Sequence, residues 1–131
     1  MKKSGVINKD IGQLLYELGH TDEITLADIG LPIPPEVPRI DVSLSPGEPS
    51  FLKVLDVVLS DMHVQEVTLA KEIETENPDL LKSIQERLPE VAFHFISHEA
   101  LKAQTMQSRG LIRTGEASPY ANIILHAGNV F

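Results

Sequence analysis

Apolar residues recur along the chain with two periods, one typical of helices and one typical of strands. After Asn8, leucine and isoleucine residues are spaced three and four apart as far as Leu18. This spacing predicts an amphipathic helix with Asn8 as its N-cap and Gly19 just beyond its C-terminal end. Related patterns predict further helices over 51–62, 78–88 and 98–107.

The strand-like segments alternate with these helices. Val91, Phe93 and Phe95 alternate with other residues, as on one face of a strand, and the segment 64–71 is rich in β-branched side chains. Four prolines within 32–38 exclude helix and sheet interior there and indicate a rigid, extended loop. The predicted strands are 23–28, 39–43, 64–71, 91–96, 110–113 and 121–127.

The alternation of strands and helices predicts an α/β fold with three layers, α/β/α, around a largely parallel central sheet. A chain of 131 residues, with 42% hydrophobic and 23% charged residues, has room for one globular core. We therefore expect residues 1–131 to form a single domain.

Charge and composition reduce the number of function classes that the chain can have. A formal net charge of −8 disfavours binding to nucleic acid and to anionic membrane surfaces. The chain has no cysteine, so thiolate and disulfide chemistry are excluded. No motif for nucleotide binding and no clear spacing of metal ligands is present. With no signal peptide and no apolar run of membrane-spanning length, we expect a cytoplasmic protein.

His20 and Asp28 are the first candidates for chemistry. His20 follows the predicted end of a helix, where the helix dipole favours an imidazolium, and Asp22 and Asp28 are near in sequence. These features suit a proton donor, although a surface histidine that complements a helix end would have the same pattern. Asp28 follows a strand, where ligands of parallel α/β sheets bind. A carboxylate there can accept hydrogen bonds from sugar hydroxyls, or it can cap a turn.

Two further segments carry polar groups suited to a polyol. His98 and Lys102 lie one helical turn apart near the start of a helix, where they form either a ligand site or an ordinary solvated face. Tyr120 and Asn122, in the segment Pro119-Tyr120-Ala121-Asn122, offer a hydroxyl, a flat ring and an amide, although a turn with a packed tyrosine would have the same pattern. Arg113 and Glu116 lead into this segment, and we interpret them as charges that fix the loop.

Taken together, these segments resemble the D-ribose pyranases, a family related to the fucose mutarotases. The resemblance runs from the first residues to the terminal Phe131, and Ile29, where small residues are usual in the family, is a conservative departure. The matching segments are Gly19-His20-Thr21-Asp22, Asp28, Gly30-Leu31-Pro32, Ser97-His98-Glu99, Ile112-Arg113-Thr114-Gly115-Glu116 and Pro119-Tyr120-Ala121-Asn122.

The resemblance implies an enzyme that interconverts the pyranose and furanose forms of D-ribose by acid-base ring opening and closing, without a cofactor or metal. It implies that His20 is the proton donor. It also implies a homodecamer of two stacked pentamers, with sites at subunit boundaries. The alternatives are a fucose-type mutarotase and a sugar-binding module without turnover. The implied substrate-binding residues are Asp28, His98, Tyr120, Ala121 through its backbone, Asn122 and, from its helical position alone, Lys102.

Overall fold

Six strands form one sheet in the computed structural model, which describes residues 1–131. The strands are β1 (Glu23–Ala27), β2 (Arg39–Asp41), β3 (Val64–Ala70), β4 (Ala92–Ile96), β5 (Gly110–Arg113) and β6 (Ile123–Ala127). The helices are α1 (Lys9–Glu17), α2 (Phe51–Leu59), α3 (Ile73–Glu76), α4 (Pro78–Arg87) and α5 (His98–Gln104), and a 3-10 turn (Thr105–Gln107) continues α5.

The strand order is β2-β5-β1-β6-β3-β4. The pairs β2–β5, β5–β1 and β3–β4 are parallel, whereas β6 pairs antiparallel with both β1 and β3. Five strands therefore share one direction and β6 runs against them, which confirms the predicted largely parallel sheet. The reversal of β6 brings its first residues to the edge of the sheet where the parallel strands end.

The two faces of the sheet are covered unequally. On one face, Leu26 and Leu69 pack with the buried sides of α1, α2 and α4 in the main core of 19 residues. On the other face, Leu101 of α5 contacts Ile124, and a separate small cluster packs Leu31 from the proline loop onto the sheet. The third layer thus consists of α5, which packs on β3 and β6, and the proline loop, which packs at the end of β1.

The helix ends follow the sequence signals closely. The side chains of Asn8 and Ser97 accept hydrogen bonds from the backbone N–H groups three residues later, as expected of N-caps. Leu18 is the C-cap of α1, so Gly19 takes the predicted position after it. Positive backbone φ falls instead on Thr21, at 75°. The short helix α3 was not predicted, and β6 begins two residues later than predicted.

None of the helices combines the length and the apolar character that crossing a membrane requires.

Candidate active site

A cavity of about 300 Å³ opens at the edge of the sheet where β1 and β4 end and β6 begins. Its lining includes Asp28, which follows β1, His98, which follows β4, and Tyr120, which precedes β6. Parallel strands end at the same edge of a sheet, and the reversed β6 starts there, so the topology explains why these distant residues meet. Gly30, Leu31 and Pro119 complete the lining.

The carboxylate of Asp28 is held in one orientation. Its Oδ1 accepts hydrogen bonds from the backbone N–H groups of Gly30 and Leu31, each at 2.9 Å. Its Oδ2 accepts a hydrogen bond from Nδ2 of Asn122 at 3.1 Å. Because Oδ1 is occupied by the turn of the proline loop, Oδ2 is the oxygen with more capacity left for a ligand.

Asn122 lies behind Asp28 and does not line the cavity. Its side chain makes a two-point contact, because Oδ1 also accepts the backbone N–H of Asp28 at 2.9 Å. Asn122 is only 1% exposed, and the neighbouring Ala121 is fully buried in the main core. The structure therefore places Asn122 where it orients the Asp28 carboxylate from below.

The rings of His98 and Tyr120 meet at the other side of the cavity. Their centroids are 5.2 Å apart and their planes are nearly perpendicular, at 83°. The backbone N–H of His98 donates to both carboxylate oxygens of Glu72, at 3.1 and 3.0 Å. Nδ1 of His98 is buried and has no hydrogen-bond partner, so Nε2 is the ring nitrogen that remains accessible to a ligand.

The backbone of Tyr120 has a φ of 57°, in the left-handed region that non-glycine residues seldom adopt. One side chain holds the preceding loop at two points. Nδ2 of Asn77 donates to the Pro119 carbonyl at 2.8 Å and to Oγ of Ser118 at 3.0 Å. These contacts explain how the surrounding structure holds an unfavourable conformation beside the cavity.

Glu116 fixes the same loop, as predicted, whereas Arg113 fixes the start of the proline loop and the end of β2. Oε1 of Glu116 accepts the backbone N–H of Phe51 at the start of α2, and Oε2 accepts Oγ–H of Ser118. Arg113 donates to the Ile29 carbonyl at 2.9 Å and to Asp41 at 3.0 Å. Hydrogen bonds from Ser43 to Asp41, together with the nearby guanidinium, hold the pKa of Asp41 below its ordinary value.

Lys102 is on the same helix as His98 but does not line the cavity. Its Nζ lies 2.9 Å from Oε1 of Glu99, and this hydrogen bond and charge lower the pKa of the Glu99 carboxyl. In this arrangement the ammonium group faces Glu99 rather than the predicted ligand.

His20 lies at the opposite edge of the sheet from Asp28. It precedes β1 whereas Asp28 follows it, and a strand of five residues separates their backbones by roughly 17 Å. Nε2 of His20 lies 2.9 Å from Oε1 of Gln65. Neither of the carboxylates near in sequence pairs with His20 within one copy: Asp22 accepts from Gly19 N–H and Arg109, and Asp28 lies beyond the other end of β1.

Sequence reasoning missed Glu72, Asn77 and Gln65, which hold His98, the Tyr120 loop and His20 respectively. The contacts of all three span 26 residues or more along the chain, so no local pattern could reveal them.

Two other cavities bear on the choice of site: one is next to the candidate site, and the other is larger. One of about 210 Å³ shares Asp28, Gly30 and Pro119 with the candidate site. The largest, about 810 Å³, lies along α1 between Val6 and Tyr16 and contains none of the predicted site residues. No cluster of three or more histidine and carboxylate side chains has the arrangement of a metal site.

Comparison with known proteins identifies the family of this chain. The model of the RbsD / FucU transport protein family matches residues 1–130. The chain belongs to this family. Within it, the D-ribose pyranase of Bacillus cytotoxicus is 54% identical over 131 residues, which is the full length of both chains.

Solved structures agree with this assignment. The structure of Bacillus subtilis RbsD complexed with D-ribose superposes with a TM-score of 0.97, at 43% identity and with 100% of both chains covered. The fucose mutarotase of Streptococcus pneumoniae in complex with L-fucose superposes with a TM-score of 0.79 over 95% of each chain. Its identity is 22%, so this second likeness establishes the fold alone.

Proposed function

We propose that this protein is a sugar-ring isomerase that interconverts the pyranose and furanose forms of D-ribose. One observation carries the proposal: Asp28, His98 and Tyr120 converge on one cavity in a chain that is 54% identical, over its full length, to a D-ribose pyranase. The 43% identical relative that was solved with D-ribose supports the same substrate.

The cavity offers the groups that a pentose needs. Oδ2 of Asp28 accepts a hydrogen bond from a sugar hydroxyl, while Asn122 keeps the carboxylate in place. Nε2 of His98 and the hydroxyl of Tyr120 hydrogen-bond further hydroxyls, and the ring of Tyr120 covers an apolar edge of the sugar. Ala121 and Lys102 stay predictions from the sequence, as does binding of the sugar by Asn122 itself.

The reaction requires only proton transfer. His20, as the acid, protonates the ring oxygen of the pyranose while the anomeric hydroxyl loses its proton, so the bond from C1 to the ring oxygen breaks and a C1 aldehyde forms. The chain rotates and the hydroxyl at C4 attacks C1. That hydroxyl loses its proton and the aldehyde oxygen gains one, which closes the furanose ring. General acid-base catalysis of this kind contributes about 10²–10⁴-fold.

The site needs a second copy of the chain. Within one copy, β1 separates His20 from the Asp28 cavity by more than a pentose spans. We therefore infer that His20 of a neighbouring copy reaches this cavity in a homo-oligomer. A decamer of two stacked pentamers, the assembly that the family resemblance implies, is our prediction for its size, and the cytoplasm is our prediction for its location.

The test is an NMR saturation-transfer measurement on the assembled protein with D-ribose. We expect faster exchange between ribopyranose and ribofuranose signals than in buffer, and no acceleration would refute the proposal. His20→Ala should abolish the acceleration while ribose still binds, as read by calorimetry. Faster exchange of L-fucose than of ribose would favour a mutarotase, and tight ribose binding without exchange would favour a binding module.

A further inference from the structure

The start of β3 contains an irregularity that bears on His20. Val64 pairs with Ala127 of β6, but Glu66 pairs with His126, so two steps along β3 oppose one step along β6. Gln65 is the additional residue of this β-bulge. A bulge bends its strand and redirects a side chain, and such irregularities are frequent next to active sites.

The redirected side chain of Gln65 meets the imidazole of His20. Their polar atoms, Oε1 of Gln65 and Nε2 of His20, are 2.9 Å apart. Both residues are exposed, and no hydrogen bond to Nδ1 of His20 is present in the structure. An amide oxygen can only accept, so this contact requires a hydrogen on Nε2 and leaves Nδ1 as the free ring nitrogen.

The backbone around His20 is also fixed. The Asp22 carboxylate accepts the N–H of Gly19 at 2.8 Å, and the N–H of Thr21 donates to the Ala127 carbonyl at 2.8 Å. Thr21 is β-branched and nevertheless has a φ of 75°, a conformation that only a well-determined environment maintains. The hydrogen-bonded backbone and the contact between the His20 ring and Gln65 together fix the direction in which Nδ1 of His20 points.

We propose that Gln65 is a positioning residue for the proton transfer: its carboxamide holds Nε2–H of His20 and reserves Nδ1 for the sugar. The proposal rests on the proposed function. When His20 donates its Nδ1 proton to the ring oxygen, the product is the tautomer with hydrogen on Nε2, which Gln65 already binds. The ring therefore needs no reorientation between giving the proton and regaining it.

The charged and titratable groups near His20 do not provide a second hydrogen-bond partner for its ring. Asp22 bonds to Gly19 and Arg109, and Arg109 lies ahead of β5. His63 and Gln65 both lie beside Gly128, which follows β6. None of these three charged or titratable residues is hydrogen-bonded to His20, so the neutral amide is its sole ring partner within one copy.

The first test compares Gln65→Met, which keeps the length of the side chain but removes the acceptor, with Gln85→Met on the exposed side of α4. We expect kcat for ribose exchange to fall roughly tenfold to a hundredfold in Gln65→Met, with KM within about twofold of the wild type, because Gln65 orients the acid and does not touch the sugar. Gln85→Met should match the wild type. Unchanged kcat in Gln65→Met at an unchanged melting temperature would overturn the proposal.

The second test adds a charge. Gln65→Glu places a carboxylate on Nε2–H and favours the imidazolium, so the decline of activity at high pH should move up by about one pH unit. Gln85→Glu adds the same charge elsewhere and should leave the profile in place. Equal pH profiles for both variants would contradict a bond between residue 65 and the catalytic ring.

A third measurement is independent of activity. Nitrogen-15 NMR of the imidazole reads which nitrogen carries hydrogen in the neutral ring. We expect hydrogen on Nε2 of His20 in the wild type and a mixture of tautomers in Gln65→Met. Hydrogen on Nδ1 in the wild type would overturn the proposal even if ribose exchange is fast, whereas slow exchange with hydrogen on Nε2 would count against the proposed function alone.

Discussion

At the residue scale, the hydrogen bonds between Asn122 and Asp28 give different roles to two residues that were both predicted to bind the sugar. The amide of Asn122 both donates to the Asp28 side chain and accepts from its backbone. It is 1% exposed, so it acts from beneath the cavity. We therefore propose that Asp28 contacts the sugar and that Asn122 determines where the Asp28 carboxylate points.

This arrangement makes Asn122→Asp an informative change. The new side chain keeps the acceptor for the Asp28 N–H but loses the donor, and it sets two carboxylates against each other. We expect ribose affinity to fall at least about tenfold and the free energy of unfolding to fall by about 1–3 kcal/mol. Calorimetry and urea unfolding measure the two effects.

Asn129→Asp, near the end of the chain and outside the cavity, is the matched control for added charge. Its affinity and stability should stay near those of the wild type. Wild-type affinity in Asn122→Asp would mean that the amide does not orient Asp28.

At the scale of elements, the helices were predictable because their signals are local. Caps such as Asn8 and Ser97 bond to groups three residues away, and apolar spacing within one helix defines its buried side. The direction of β6 was not predictable, since it depends on pairing with β1 and β3, more than 50 residues earlier. That direction is what brings Tyr120 to the same edge as Asp28.

The loop between β5 and β6 depends on close contact with the turn at 45–49. Gly115 donates to the Pro49 carbonyl and accepts the N–H of Gly47, and a Cβ at Gly115 would lie 2.1 Å from the Glu48 carbonyl oxygen. No side chain fits there without displacing backbone. The loop that ends in Tyr120 therefore requires glycine at this position.

We expect Gly115→Ala to lower the free energy of unfolding by about 3 kcal/mol and to raise KM for ribose, because the displaced loop carries Tyr120. Gly12→Ala is the contrast: Gly12 is inside α1, and a Cβ there meets nothing within 4 Å. That variant should gain up to about 1 kcal/mol, since alanine favours helix. Urea unfolding distinguishes the two, and equal stability would contradict the packing argument.

At the scale of the whole molecule, the residues proposed for the reaction lie at two opposite edges of the sheet. His20 and Asp28 are eight positions apart in sequence, which suggested one site, but β1 lies between them in extended conformation. A strand separates residues more than a helix of equal length does, because each residue advances about 3.3 Å rather than 1.5 Å. Near neighbours in sequence are therefore distant in the fold.

Subunit mixing tests whether two copies complete one site. His20→Ala and Asp28→Ala should each be inactive alone. When the two are unfolded and refolded together, random assembly places an intact His20 edge against an intact Asp28 edge in about one quarter of the interfaces, so about a quarter of wild-type exchange should return. Mixing Asp28→Ala with His98→Ala should restore nothing, because both residues belong to the same edge of one copy. If His20 acted on the cavity of its own copy, the mixture of His20→Ala with Asp28→Ala would also stay inactive. That result would refute the inference that a neighbouring copy completes the site.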